Sequence, residues 1–287
     1  MTAIFKREFR SYFTGMVGYA VAAVSLFFFG LYFTDRNLLY QSPDFAGVLY
    51  TTTLILLFLL PAVSMRSFAE DRRSRTDQLL LTSPVSIPAI VLGKFLAEVA
   101  VFCVPLSVAA LMPLILTAFG RVSLLSAYAA LLGYLLLAAA CLAVGTWISS
   151  LTENQIVAYL ATFGVLLIAY LMNSIKTMFT SGNVLAFAVF AVALVAVSVA
   201  VGVVCKSLPV GGAVFCAGAV ALFILFILRP AWLLTAFNAV LTALALFAPY
   251  AEIVGGSFSL PVILYYLSVI GIALLLTGQT LERRRWN

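Results

Sequence analysis

Eight apolar runs of membrane-spanning length, near residues 16–33, 46–64, 89–118, 123–150, 155–172, 184–205, 211–228 and 262–280, leave this chain few folds to choose from. A hydrocarbon core about 30 Å thick takes roughly 20 apolar residues of helix to cross, and lipid offers no partner to an unpaired backbone amide. Runs of this length close their own hydrogen bonds as helices, whereas barrel strands would be about half as long and alternate in polarity. Charged residues make up 9% of the 287 positions, against roughly a quarter in a soluble domain. The expected fold is all-α: a polytopic integral membrane helical bundle of about eight transmembrane helices, forming a single transmembrane domain over residues 1–287.

The basic residues give the bundle a direction. With the N-terminus inside, Lys6, Arg7, Arg10, Arg66, Arg72, Arg73, Arg75, Lys94, Lys206, Arg283, Arg284 and Arg285 fall on the cytoplasmic side. Arg36, Arg121, Lys176 and Arg229 fall outside. This bias predicts both termini in the cytoplasm and an even number of spans. The net charge of +6 serves orientation and does not point to nucleic acid. Residues 16–33 are too long for the apolar core of a signal peptide and are read as a retained first span. Phe5, Phe9, Tyr12, Phe13 and Met16 share one face, which predicts that residues 1–15 form a helix lying in the inner interface.

Several chemistries drop out. The chain has no histidine, which removes zinc-hydrolase and Ser/His mechanisms. Cys103, Cys141, Cys205 and Cys216 lie in or beside apolar runs without C-x-x-C spacing, so neither a disulfide nor a metal site is expected. No phosphate-binding loop of the form G-x-x-x-x-G-K-[ST] occurs, so no catalytic residues are assigned.

The third run is too long for one crossing. As a continuous helix, residues 88–118 would extend about 46 Å, and Pro105 and Pro113 inside it predict a kink. Cys141, Gly145 and Ser149 share a face of the fourth run, and the pairs Ala196/Ala200 and Ser198/Gly202 share faces of the sixth. Small residues at this spacing let helices approach closely in lipid. "AWLLTAFNAVLTALALFAPY", from Ala231, is expected to lie at the outer face without spanning, with Leu233, Phe237, Val240, Leu244 and Phe247 as its greasy side. The whole non-spanning outer segment is placed at residues 231–261.

A polar insert, residues 65–88, separates the second and third runs. Its "RSFAEDRRSRTD" carries seven charges, which would cost on the order of 20 kcal/mol in the bilayer core. It must lie in water. Arg66 to Arg75 holds no Gly or Pro, and Asp71 with Arg75 forms an acid-first pair at i, i+4, so a short helix is expected. Thr76 is placed to cap a second turn with Asp77 near its positive end, presenting Leu79, Leu80 and Leu81. Ser86 and Pro88 then open the third run. Ionic and apolar faces on one compact element suit a protein surface.

"FAEDRRSRTDQLLLTSPVSIPAIVLGKFLA" resembles the signature of permease subunits of export-type ATP-binding-cassette transporters, in their gliding-motility-related branch. "KREFRSYFTGMVGY", "ISSLTENQIVAYLATFGVLLI" and "YYLSV…LERRRWN" resemble that branch's N-terminal helix, its fourth-to-fifth-span turn and its last span. The pair of runs at 184–228 exceeds the six spans of minimal members. The resemblance implies that the insert is a coupling helix contacting a separate ATPase through Arg66, Glu70, Asp71, Arg72, Arg73, Arg75, Thr76, Asp77, Leu79, Leu80 and Leu81. It implies two ATPase copies, which would bind ATP and Mg, a second permease copy as a homodimer, and an extracytoplasmic accessory protein, all in or at a bacterial cytoplasmic membrane. This chain itself would carry no cofactor.

Lys94 and Glu98 are the remaining candidates, one helical turn apart in the third run. An i, i+4 structural pair is expected, with an intramembrane transport role as the alternative. Three rival functions remain, and an integral-membrane enzyme would need clustered acids, His or Cys facing a cavity, which the sequence does not offer. A force-transmitting or signalling ABC subunit would move no cargo, and a secondary carrier would need more buried ionisable groups than the other runs contain.

Overall fold

Where each helix stops explains how the bundle is assembled. The computed structural model describes residues 1–76, 85–119, 121–179, 187, 198, 219, 230–256 and 259–286. The chain forms two compact units, residues 1–168 with 247–287, and residues 169–246.

The first unit opens with α1 (Thr2–Thr14), which ends at Gly15, and α2 (Met16–Phe33) follows at once. The last turn of α2 widens into a π-helical turn, Thr34–Leu39. Asp44 then caps α3 (Phe45–Ser64) by accepting from the Gly47 N–H at 3.2 Å. A turn leads to the short α4 (Ala69–Arg73). Ser86 occupies the N-cap of α5 (Ile87–Ala109) through its backbone carbonyl, with Pro88 in the first turn.

The expected kink is a full break. α5 ends at Ala109 and α6 (Met112–Thr117) restarts with Pro113 in its first turn. Pro113 would clash with the carbonyl four residues earlier, at Ala109, which is where α5 stops. Pro105 is accommodated inside α5.

α7 (Leu124–Leu151) runs through the middle of the unit and packs on α3, α5, α10 (Ala248–Val254) and α11 (Leu260–Trp286). Its stripe of small residues is buried, as the spacing predicted. At Gly145 a Cβ would come within 2.6 Å of Ser64 Cβ and 3.1 Å of Thr162 Cγ2, so only glycine admits the contact. α8 (Gln155–Phe179) starts in the first unit and ends in the second.

In the second unit, α9 (Pro230–Leu244) is a 15-residue helix. Leu241 is buried, while Val240 and Leu244, on the greasy face assigned from spacing, are exposed. The side chains of Leu233 and Phe237 lie outside the described residues. So do the sixth and seventh runs apart from Phe187, Ser198 and Ala219, and also Asp77, Leu79, Leu80 and Leu81.

Among the described residues, six helices are long and apolar enough to cross a membrane: Met16–Leu39, Phe45–Arg73, Ile87–Thr117, Leu124–Leu151, Gln155–Met172 and Leu260–Arg284. They match six of the eight expected runs. Phe27, Phe58, Leu132, Leu264 and Leu275 are half or more exposed on these helices, as lipid-facing positions should be.

Candidate functional site

The polar insert is held to the bundle by three fastenings, each reaching a different helix. The first is a hydroxyl. Ser149, fully buried near the end of α7, accepts from the backbone N–H groups of Phe68 and Ala69 at 3.2 Å each. It donates to the Met65 carbonyl, also at 3.2 Å. Two acceptances and one donation use the whole capacity of a hydroxyl. Ser149 thereby does from a neighbouring helix what an N-cap does within one, serving orphan groups at the end of α3 and the start of α4.

The second fastening joins α1 to α3. Tyr12, 4% exposed, donates its hydroxyl to the Val63 carbonyl at 3.0 Å. Burial holds its phenol well above the ordinary tyrosine range, so it stays a neutral donor. Arg66 lies over the Tyr12 ring and forks onto Glu70, with Nε to Oε2 at 2.6 Å and Nη2 to Oε1 at 3.0 Å. That is the i, i+4 pair of the insert, in place of the expected Asp71 with Arg75.

The third fastening is Lys94, two turns into α5 and 2% exposed. Its ammonium meets Asp71 Oδ2 at 2.5 Å, the Ser67 carbonyl at 2.5 Å and Glu8 Oε1 at 3.2 Å. The Phe68 ring centroid lies 5.0 Å away. Three N–H donors thus find three acceptors on α1, the turn and α4. Glu8 also takes Arg7 Nη2 at 2.5 Å, and that hydrogen bond raises Arg7 above its ordinary range. The preceding Gly93 explains why the pair is Gly-Lys: a Cβ there would sit 3.1 Å from Ile4 Cγ2, so glycine lets α1 come near enough to present Glu8.

The expected Lys94–Glu98 pair does not form. An ammonium at this depth takes the partners on neighbouring elements, and Glu98 turns to α7 instead. It is fully buried, with Oε2 3.0 Å from the Thr146 hydroxyl. Thr146 is also 2.6 Å from the Leu142 carbonyl, so its single proton serves one acceptor at a time. Glu98 Oε1 has no hydrogen-bond partner among the described residues.

Of the remaining insert residues, Arg72 is buried and reaches the Thr152 carbonyl at 3.4 Å. Arg73 to Thr76 are exposed. Thr76 helps to close α4, and the turn that it is expected to cap lies outside the described residues. The Thr76 N–H bonds back to the Asp71 carbonyl at 2.9 Å, and the Arg75 N–H bonds to the Arg72 carbonyl at 3.0 Å. Arg75 has φ +58°, so α4 closes in a Schellman motif with arginine where glycine is usual. Phe68, Ile87, Ile90, Val91 and Leu281 complete an apolar cluster beneath the polar shell, with Ile4 packed against it. The N-terminal helix, the insert and the tail of the last span therefore meet at one end of the unit.

Sequence reasoning missed Glu8 and undervalued Ser149. Glu8 is the only acid before Asp35 and shares a helical face with Ile4 and Tyr12, which could have marked it. The four-residue spacing marks Ser149 only as a small residue at a helix contact.

A family model for ABC-2 family transporter proteins matches residues 10–184, which take in five of the spanning helices and the whole insert. No curated protein and no solved structure matches the chain. The match covers well over half of the 287 residues, and a helical bundle with a tethered polar insert after its second span agrees with it. The chain belongs to the ABC-2 transporter family: it is the membrane subunit of an ATP-binding-cassette transporter, a family that implies an ABC ATPase partner.

Proposed function

We propose that this chain is the permease subunit of an ATP-driven exporter of the gliding-motility-related branch, driven through residues 66–86 by separate ATPase subunits. Two permease copies and two ATPases make up the assembly, and the ATPases bind ATP and Mg. The insert and both chain termini face the cytoplasm of a bacterial cell. What supports that orientation is the shared end of α1, the insert and α11, together with the twelve-to-four bias of basic residues toward that side.

The observation that carries the reading is the two-sidedness of the insert. A lever must be stiff where it meets its load and accessible where it is pushed. Ser67, Phe68, Ala69 and Arg72 are buried and bonded to neighbouring elements, whereas Arg73, Ser74, Arg75 and Thr76 are exposed. ATPase closure against the exposed side would be delivered to α1, α3, α5 and α7 together, shifting the bundle between two packed states. Arg66, Glu70, Asp71 and Arg72 set the lever's shape. Arg73, Arg75 and Thr76, with Asp77, Leu79, Leu80 and Leu81, make the contact.

The test is co-purification of the ATPase with an Arg73→Glu/Arg75→Glu double variant. Recovery of the ATPase should fall about tenfold, equivalent to ~1.4 kcal/mol, with the permease's own stability unchanged because both side chains are exposed. Full recovery together with normal ATP-dependent export would refute the proposal.

A further inference from the structure

One helical turn beyond Lys94, Glu98 is fully buried on α5, and its contact with Thr146 of α7 shows whether that carboxyl is charged. The Thr146 hydroxyl lies 2.6 Å from the Leu142 carbonyl and 3.0 Å from Glu98 Oε2, and it has one proton to give. The carbonyl can only accept, and two oxygens 2.6 Å apart repel unless a hydrogen lies between them. The Thr146 proton therefore goes to Leu142, the back-bond a threonine makes within its own helix. That leaves none for Glu98. The 3.0 Å contact is a hydrogen bond only if Glu98 brings the proton, with its Oε2–H donating to the Thr146 oxygen. Glu98, Thr146 and Leu142 then form a chain in which every proton is used.

The surroundings offer a negative charge no other support. Glu98 Oε1 has no hydrogen-bond partner among the described residues, and Ser67 Oγ, near the same carboxyl, has none either. A single neutral hydroxyl turned onto Oε1 would still fall short of what a fully buried carboxylate needs. Lys94 spends its three N–H groups on Asp71, Glu8 and the Ser67 carbonyl, and those two carboxylates already answer its charge. Tyr12 on α1 is a neutral phenol, and Arg66 is committed to Glu70. α2 and α7 carry no charged residue, and those of α11 lie in its last turns, from Glu282 to Arg285. We propose that Glu98 is protonated at neutral pH and that its O–H fastens α5 to α7 one turn beneath the Lys94 cluster. Loss of the proton would leave a buried carboxylate facing a hydroxyl with nothing to donate, so the joint holds only while the proton is in place.

Infrared spectroscopy of the purified full-length chain reads that proton directly. A glutamate in water is ionised at pH 7. The wild-type protein at pH 7 should nevertheless show the C=O stretch of a protonated carboxylic acid, shifted on deuteration, and Glu98→Gln should lose it. Thr146→Val gives a second reading that leaves position 98 untouched and holds even if Glu98→Gln does not fold. It keeps the side chain's shape but removes the oxygen that accepts from Glu98, so the acid band should remain and move to higher frequency. Thr146→Ser, which keeps the hydroxyl, should leave the band where it is in the wild type. Absence of an acid band from the wild type at pH 7 would overturn the proposal. So would its survival in folded Glu98→Gln, or a band that Thr146→Val leaves unmoved.

Discussion

Two regions of the first unit are held together in opposite ways. Around Lys94 the contacts are few, directional and charged, with an ammonium and two carboxylates gathered from α1, α4 and α5. Midway along the bundle, Tyr134 touches Phe29, Phe102 and Tyr250 at centroid distances of 5.9, 6.0 and 5.8 Å. The polar tips there reach only backbone carbonyls, Tyr134 to Thr52 at 3.4 Å and Tyr250 to Ala130 at 3.3 Å. Ring contacts are individually weak and shared among several partners, so the loss of one polar tip leaves most of them in place. Ion pairs out of water have one good arrangement and fail together when it is lost. In the coupling proposed above, the insert end would move as a block and the aromatic middle would take up that movement.

The largest expected effect tests the charged region. Lys94→Met leaves Asp71 and Glu8 without their shared cation and should destabilise the protein by about 3–5 kcal/mol, read as a lowered denaturation midpoint of the purified chain. Adding Asp71→Asn and Glu8→Gln should restore most of the loss, since no uncompensated charge then remains. Were Lys94→Met as mild as a conservative change in the aromatic middle, the contrast would collapse.

Ser149→Ala sharpens it. The change strips a partner from two buried N–H groups and one carbonyl, a loss of about 1–3 kcal/mol. Hydrogen exchange at the Phe68 and Ala69 amides should accelerate accordingly. Tyr134→Phe removes one long hydrogen bond and keeps the ring contacts, so its cost should stay at or below about 1 kcal/mol. The smallest effect has the opposite sign. Arg75→Gly relieves the left-handed backbone at φ +58° and should stabilise the insert by about 1 kcal/mol.

Much of the bundle was legible because its rules are local. The six spans lie within a few residues of the apolar runs, except that the first and second extend into Leu39 and Arg73. The third breaks where Pro113 dictates. The candidate site was legible only in part. The i, i+4 rule pairs Lys94 with Glu98 and Asp71 with Arg75, because it sees one helix at a time. Lys94 instead finds Asp71 across elements, and Arg75 turns left-handed before the second pairing can close.

The sequence by itself determined that this chain crosses a membrane as helices and that residues 66–77 cannot lie within lipid. Both follow from what each short segment costs in hydrocarbon, summed along the chain. Only the tertiary structure decided that Glu8 and Asp71 share one buried lysine and that a serine on α7 caps α4. The physical reason is that a charge or hydroxyl leaving water must find a partner, and helix packing determines which one is within reach.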